Sequence, residues 1–308
     1  MHKTRWTRLA PAIILAALLL SVIASACMSA SKYPLTVTDD MGRKIVFDTQ
    51  PKRFVSLAPS WTEILFALGL GDQVVGVTTY CDYPAEAAKK EKVGGFSDPN
   101  IELIVALKAD VVFGTTLHKK VQSDIERRGI KFVCENATSV EGVKNNITIA
   151  AAIAGVPERA QQVNAVIQNT IDRVKNTLAA VPESRRLKVL YLVWDEPVMS
   201  VGPKTLISDM LSAAGGVSIT GDAESDYPSY SLETIVAVNP NVILAPRVHG
   251  GGGLDIQSLR TKPGWQALDA VKKGNVYLVE DNLVSRPGPR VGEGVLEIAR
   301  TLYPELFK

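Results

Sequence analysis

The sequence predicts an α/β fold: two related lobes with parallel sheets, joined by one long rigid helix and facing each other across a ligand cleft. Three observations carry this expectation. Residues 101–118 (IELIVALKADVVFGTTLH) align without a gap with residues 232–249 (LETIVAVNPNVILAPRVH), matching Glu102 to Glu233, Val111-Val112 to Val242-Ile243 and His118 to His249. Strand and helix patterns alternate in both halves, the order that builds parallel, right-handed α/β sheets. The stretch between the halves holds no strand candidate and carries apolar Val163, Val166, Ile167, Ile171, Val174 and Leu178 at helical spacing.

Taken in order, residues 1–27 read as a targeting segment. Lys3, Arg5 and Arg8 precede an apolar run at 10–24 that is short for a membrane span. Ala24-Ser25-Ala26-Cys27 fits either ordinary signal cleavage or a lipobox that turns Cys27 into a lipid-bearing N-terminus. Ala24 stands where a lipobox usually has Leu, yet an unpaired cysteine at the cleavage point favours the lipid anchor. The chain is expected outside the cytoplasm, anchored on the extracytoplasmic face of the membrane, or free in the periplasm if cleaved without lipidation.

Residues 33–138 form the expected N-terminal lobe. Two short β patterns, 36–38 and 44–47, flank a turn with Gly42 for positive φ. Strands follow at 54–57, 74–78, 111–114 and 131–134, with a helix at 60–68 that takes Ser60 as N-cap and Glu63 three residues on. Residues 139–181 are a helical connector. Pro157 suits the first turn of its second part, and a helix over 157–180 would reach about 35 Å, a strut rather than a Gly/Ser-rich tether. Residues 182–308 form the C-terminal lobe, with strands at 187–194, 241–245 and 275–279. Its helices lie at 204–214, closed by Gly215-Gly216, and at 291–302.

In each copy of the repeat a short helix turns into a β-branched strand, and the histidine lies just past the strand's carboxyl end. Open α/β sheets bind ligands outside those ends. Facing lobes would therefore bring His118 and His249 to one cleft as candidate metal ligands, against the plainer reading of two solvated loop histidines matched by duplication. Near-balanced charge, 34 Lys and Arg against 32 Asp and Glu, argues against a nucleic-acid partner. Cys81 and Cys134 fall at the ends of separated strands and are expected to be free thiols.

APSWTE at 58–63, VGVTTYCDYP at 75–84, VGGF at 93–96, DYP at 226–228 and RPGPR at 286–290 together resemble the periplasmic cobalamin-binding proteins of ABC importers. These belong to a wider family that captures iron complexes, haem and cobalamin. The likeness covers the whole mature chain, and its cobalamin branch rests mostly on residues 80–84. It implies two pseudo-symmetric Rossmann-like lobes on a single long helix, small closure motions, and a corrinoid as transported ligand rather than as cofactor of a catalysed reaction.

The resemblance also implies site residues. Tyr80 would lie against the corrin and Tyr227 would approach from the other lobe, with Trp61 and Phe96 as further wall. Trp194 and Met199 follow the first strand of the second lobe, where the family has an apolar contact. Asp281 and Arg286 match an acidic-then-basic pair that binds amide and phosphate groups, although one extra residue between them leaves Arg290 as a competitor for the basic role. Glu102 and Glu233 would dock a monomeric binding protein onto arginines of a permease dimer that works with its ATPase subunits. His118 or His249 would be the cobalt or iron ligand if the protein supplies one.

Three other readings compete. Haem or a ferric siderophore could occupy the same fold, with Tyr80, His118 or His249 as axial ligand to haem iron. Free zinc or manganese would need three or four convergent ligands, and two histidines leave that site short. A secreted hydrolase would use Ser60 on its strand-to-helix turn, but the glycines of a nucleophile elbow and the Asp/His partners are missing. Four glycines at 250–253 lack the Lys-Ser/Thr of a phosphate loop and read as a cleft loop.

Overall fold

A computed structural model describes residues 33–248 and 254–308. The N-terminal lobe opens with an antiparallel hairpin, β1 (Leu35–Thr38) and β2 (Lys44–Phe47), turned at Gly42 with φ 73°. Then come β3 (Phe54–Ser56), helix α1 (Pro59–Ala67), β4 (Val74–Val77), α2 (Ile101–Ala106), β5 (Val111–Thr115), α3 (Lys119–Arg127) and β6 (Lys131–Glu135). The last four strands form one parallel sheet in the order β4-β3-β5-β6. Phe54, Val55, Val111, Val112 and Phe113 are wholly buried, because this sheet is covered on both faces.

The connector is α4 (Val140–Ala154) followed by α5 (Pro157–Leu178). Gly155 breaks them apart in the left-handed region at φ 73°, and Pro157 opens α5 where its missing N–H costs nothing. The 22 residues of α5 span about 33 Å, close to the expected strut. One face of α5 packs on α4 and another on the terminal helix of the second lobe, so Ile167 and Val174 are buried.

The C-terminal lobe holds β7 (Lys188–Tyr191), β8 (Trp194–Asp195), β9 (Val198–Met199), α6 (Leu206–Ala213), β10 (Val217–Ser218), β11 (Ser229–Tyr230), α7 (Leu232–Val238) and β12 (Val242–Arg247). It closes with α8 (Asp269–Lys273), β13 (Val276–Glu280), α9 (Asp281–Val284) and α10 (Val291–Leu302). Its parallel sheet runs β10-β7-β12-β13, the same second-first-third-fourth order as in the first lobe. The strand expected at 187–194 stops at Tyr191, because the Val193 amide turns to the Met199 carbonyl and Trp194 joins the small antiparallel sheet of β8, β9 and β11.

The repeat seen in sequence is a repeat of hydrogen bonds. Asn100 and Ser231 cap α2 and α7 by accepting from the amides of Leu103 and Thr234. Lys108 at φ 50° and Asn239 at φ 49° make the same left-handed turn into the next strand. Asp110 accepts from the Lys52 and Arg53 amides while Asn241 accepts from the Lys188 amide, each tying a third strand to the start of a first. One core cluster runs from Phe54 and Ile64 in the first lobe, through Ile167 of α5, to Met210 and Ile298 in the second. Smaller clusters back the outer face of each sheet.

Candidate ligand-binding cleft

The carboxyl ends of β3, β5 and β6 face those of β7, β12 and β13, as expected for open α/β sheets. The space between them is a cleft of about 570 Å³ reached by Pro59, Thr115 and Glu135 from one lobe and Tyr191, Pro246 and Asp281 from the other. A neighbouring recess of about 610 Å³ shares Pro59, Phe96, Asp281 and Arg286 with it and adds Tyr80. Tyr80 is 61% exposed and Tyr227, across the cleft, 55%. Both keep open aromatic faces at the mouth, and exposed Leu117 extends the apolar rim.

Beside the mouth the two lobes are pinned together by charge. Glu63 on α1 is buried and accepts from Arg286 Nη1 at 3.1 Å and from Arg290 Nε and Nη2 at 2.8 and 2.7 Å. Arg286 also reaches Asp82 at 2.7 Å, and the Arg290 guanidinium lies 4.0 Å from the Tyr83 ring centre. Burial alone would raise the Asp82 carboxyl, but the hydrogen bond and charge of Arg286 hold it below its ordinary value. Loop 286–290 can press this close because Gly288 has no side chain: a Cβ there would stand 3.3 Å from Glu63 Oε2.

This cluster bears on three expectations. Ser60 and Glu63 do not form a capping box, since α1 is capped by Ala58 without a side-chain bond while Ser60 Oγ donates to Glu135 and Glu63 takes the arginines. Asp281 and Arg286, expected to bind ligand, both line the cleft, where Asp281 accepts from Ser285 Oγ and Arg286 also holds Glu63 and Asp82. Arg290 is not a free fork for ligand. Its guanidinium is committed to Glu63, and only Arg286 of the two lines the cleft.

Other candidates separate as clearly. Trp61 is wholly buried, 4.8 Å from the Phe113 ring, and its indole N–H donates to the Gly114 carbonyl, so it is core and not cleft wall. His118 is buried, and both ring nitrogens are engaged: Nδ1 accepts from the Thr115 amide at 3.0 Å and Nε2 donates to the Phe96 carbonyl at 2.7 Å. Burial pushes its pKa down against those bonds, leaving a neutral structural imidazole with no lone pair for a metal. Phe96, edge-on to that ring at 4.9 Å, does line the cleft. Met199 is half-buried in the small sheet, and Trp194 is exposed with its N–H on the Glu196 carbonyl. His249, Cys27 and the glycines at 250–253 lie outside the described residues.

Cys81 and Cys134 are buried free thiols. Glu102 is exposed and paired with Arg128 at 2.7 Å, and Glu233 is held by Ser231 at the start of α7. Among the described residues no group of three or more His, Cys, Asp or Glu side chains could hold a metal ion, and no helix is long and apolar enough to cross a membrane. Glu63, Asp82, Glu135 and Tyr191 were not singled out as site residues from sequence. The available signal was Glu135 itself, a lone acid that follows apolar Phe132, Val133 and Cys134 at the carboxyl end of its strand.

Two parallel-sheet lobes on one helical strut, open to solvent along a shared cleft, define a solute-binding protein. The chain belongs to the periplasmic binding protein family, whose family model matches residues 54–283. It is 31% identical to an uncharacterised ABC transporter substrate-binding lipoprotein of Bacillus subtilis, over 90% of this chain and 88% of that one. Among solved structures, the periplasmic vitamin B12 binding protein BtuF of Vibrio cholerae superposes with a TM-score of 0.69 at 26% identity, covering 84% of this chain and 99% of that one. The periplasmic haem-binding protein RhuT of Roseiflexus sp. RS-1 gives 0.71 at 25% identity, with 83% and 99% covered. The protein is therefore a substrate-binding protein of an ABC transporter, within the group that takes cobalamin, iron complexes and haem, and is not an enzyme.

Proposed function

We propose that this protein captures cobalamin or a related corrinoid in the cleft and delivers it to an ABC permease dimer. The observation that carries the reading is the pair of exposed tyrosines, Tyr80 and Tyr227, one on each lobe at the mouth of the joined recesses. A corrin is a broad, partly apolar disc with amide arms. Two rigid aromatic faces offer it large contact area at little cost in side-chain entropy, while phenolic hydroxyls remain for the arms. Phe96 and Arg286 would complete the wall, and Asp281 would accept from an amide N–H. Similarity to a vitamin B12 binding protein over nearly its full length supports the same choice.

Haem is the second reading, favoured by the phenols of Tyr80 and Tyr227 as ligands for ferric iron and by the similarity to a haem-binding protein. Equilibrium titration of the purified protein with cyanocobalamin, cobinamide and haemin separates the two. The corrinoid reading expects saturable binding of the first two, weakened about ten- to thirtyfold by Tyr80→Ala or Tyr227→Ala. Tight binding of haemin alone, with a shifted Soret band, would replace it.

Glu102 and Glu233 are the proposed docking pair, one on each lobe at matching positions of the repeat. The surface bridge from Arg128 to Glu102 is worth roughly 0–1 kcal/mol, so a permease arginine can displace it. Cys27 would carry the lipid that keeps the protein at the membrane surface. Mass spectrometry of the mature N-terminus tests that assignment: a free, unmodified terminus would exclude it.

A further inference from the structure

Two buried side chains that line the cleft each carry an oxygen without a hydrogen-bond partner among the described residues. Glu135 ends β6 and is 2% exposed; Tyr191 ends β7, on the facing lobe, and is 1% exposed. Both line the cleft. Glu135 Oε2 and the Tyr191 hydroxyl have no hydrogen-bond partner among the described residues. A buried polar atom left without a partner carries a desolvation cost, and the two side chains, one from each lobe, line the same cleft.

The surroundings say what each can offer. Ser60 on α1 donates to Glu135 Oε1, leaving Oε2 as the free end. From the turn between β1 and β2, Asp40 accepts from the Asn136 amide and adds negative charge behind Glu135. The adjacent Cys134 thiol is itself pushed up to about 12 and stays neutral. Glu63, also on α1, is committed to its two arginines. Tyr191 faces Asp281, Tyr227 and Glu297, and burial with those neighbours keeps its phenol protonated. Lys204 is exposed at the rim.

We propose that Glu135 and Tyr191 are specificity-determining residues, a pair of neutral hydrogen-bond donors, one per lobe, that take the carbonyl oxygens of a ligand's uncharged amide arms. The inference rests on the corrinoid reading and deepens it. Desolvation, together with Asp40 and against the Ser60 bond, holds the Glu135 carboxyl up at about 8, so its proton sits on Oε2, the oxygen that Ser60 leaves free. An amide carbonyl satisfies that donor at small desolvation cost. A carboxylate arm would have to bury a charge among acids, which is far more expensive. The pair therefore selects amide-armed rings over rings that carry acid arms.

The test is titration with cobinamide and with the same ring after its amide arms are hydrolysed to carboxylates, from pH 6 to pH 9. Wild-type protein, Glu135→Gln and Tyr191→Phe are compared. Wild type should prefer the amide-armed ring and lose about tenfold in affinity for it by pH 9, as the donating acid is titrated. E135Q keeps a donor that cannot titrate, so it should bind at pH 6 within about threefold of wild type and show a flat profile. Y191F should bind about three- to tenfold more weakly at every pH. Equal affinity of wild type for the two rings, or one pH profile shared by wild type and E135Q, would overturn the proposal while leaving the corrinoid reading intact. Failure of wild type to bind either ring would remove both. The wild-type profile needs no variant to fold, and thermal unfolding of E135Q and Y191F checks that they do.

Discussion

At the scale of single residues, burial decides what each candidate side chain can do. His118 repeats His249 in sequence, yet its ring staples the turn after β5 to the Phe96 backbone. His118→Ala should cost roughly 1–3 kcal/mol of stability, the penalty for orphaning buried groups, and leave the absorption spectrum of any bound metal complex unchanged; a shifted spectrum would restore it as a ligand. Glu135 gives a pH signature. Its carboxyl moves from 4.5 to about 8 on folding, so between those values the native chain holds a proton that the unfolded chain has released. Its contribution to stability should be full below about pH 4.5 and fall as pH rises towards 8. Denaturant unfolding of wild type and E135Q measures the difference, and parallel curves would mean that Glu135 is ionised in the native state. The family resemblance of the short strings that hold them points to Tyr80, Phe96 and Tyr227, and all three line the joined recesses. It misled at Trp61 and Arg290, since whether an aromatic ring or a guanidinium faces solvent or core depends on partners far away in the chain, here Gly114 and Glu63.

Among elements, α1 and the loop before α10 carry the join between lobes on the cleft side. Glu63 holds two arginines in a buried setting, where removing one partner strands the other charges. Glu63→Ala should therefore destabilise the protein by about 3–5 kcal/mol, measured by denaturant unfolding. A loss below 1 kcal/mol would show that the cluster is hydrated and adds little. On the opposite side, α5 is braced by α4 and α10, and Gly292 of α10 sits so close that a Cβ would lie 3.3 Å from the Ile167 carbonyl. Ile167→Ala should cost about 2–5 kcal/mol. The long helix, both parallel sheets and the terminal helix at Val291–Leu302 could be read from periodicity, because those elements bury one face or two in a regular pattern. The break at Tyr191 and the three-stranded side sheet could not, because Leu192, Val193 and Trp194 continue the apolar run while the Val193 amide turns back to the Met199 carbonyl.

For the whole molecule, the duplication explains the cleft, the matched turns at Lys108 and Asn239, and the matched surface glutamates. Since one core cluster crosses from lobe to lobe through α5, the two lobes should unfold in a single calorimetric transition, and two resolved peaks would mean the strut does not couple them. That coupling and the Glu63 cluster should keep relative motions of the lobes small, which capture in a largely preformed cleft would require. Delivery would then depend on the docking glutamates: reversing both Glu102 and Glu233 should abolish uptake in cells while leaving ligand affinity unaltered, and surviving transport would rule out the docking role. The central claim is that the cleft takes a corrinoid between Tyr80 and Tyr227. Isothermal titration calorimetry with cyanocobalamin, on wild type and on the Tyr80→Ala, Tyr227→Ala double variant, tests it most directly. One-to-one binding by wild type, weakened at least a hundredfold in the double variant, is the predicted result; no heat of binding in wild type, or equal affinity in both, would contradict it.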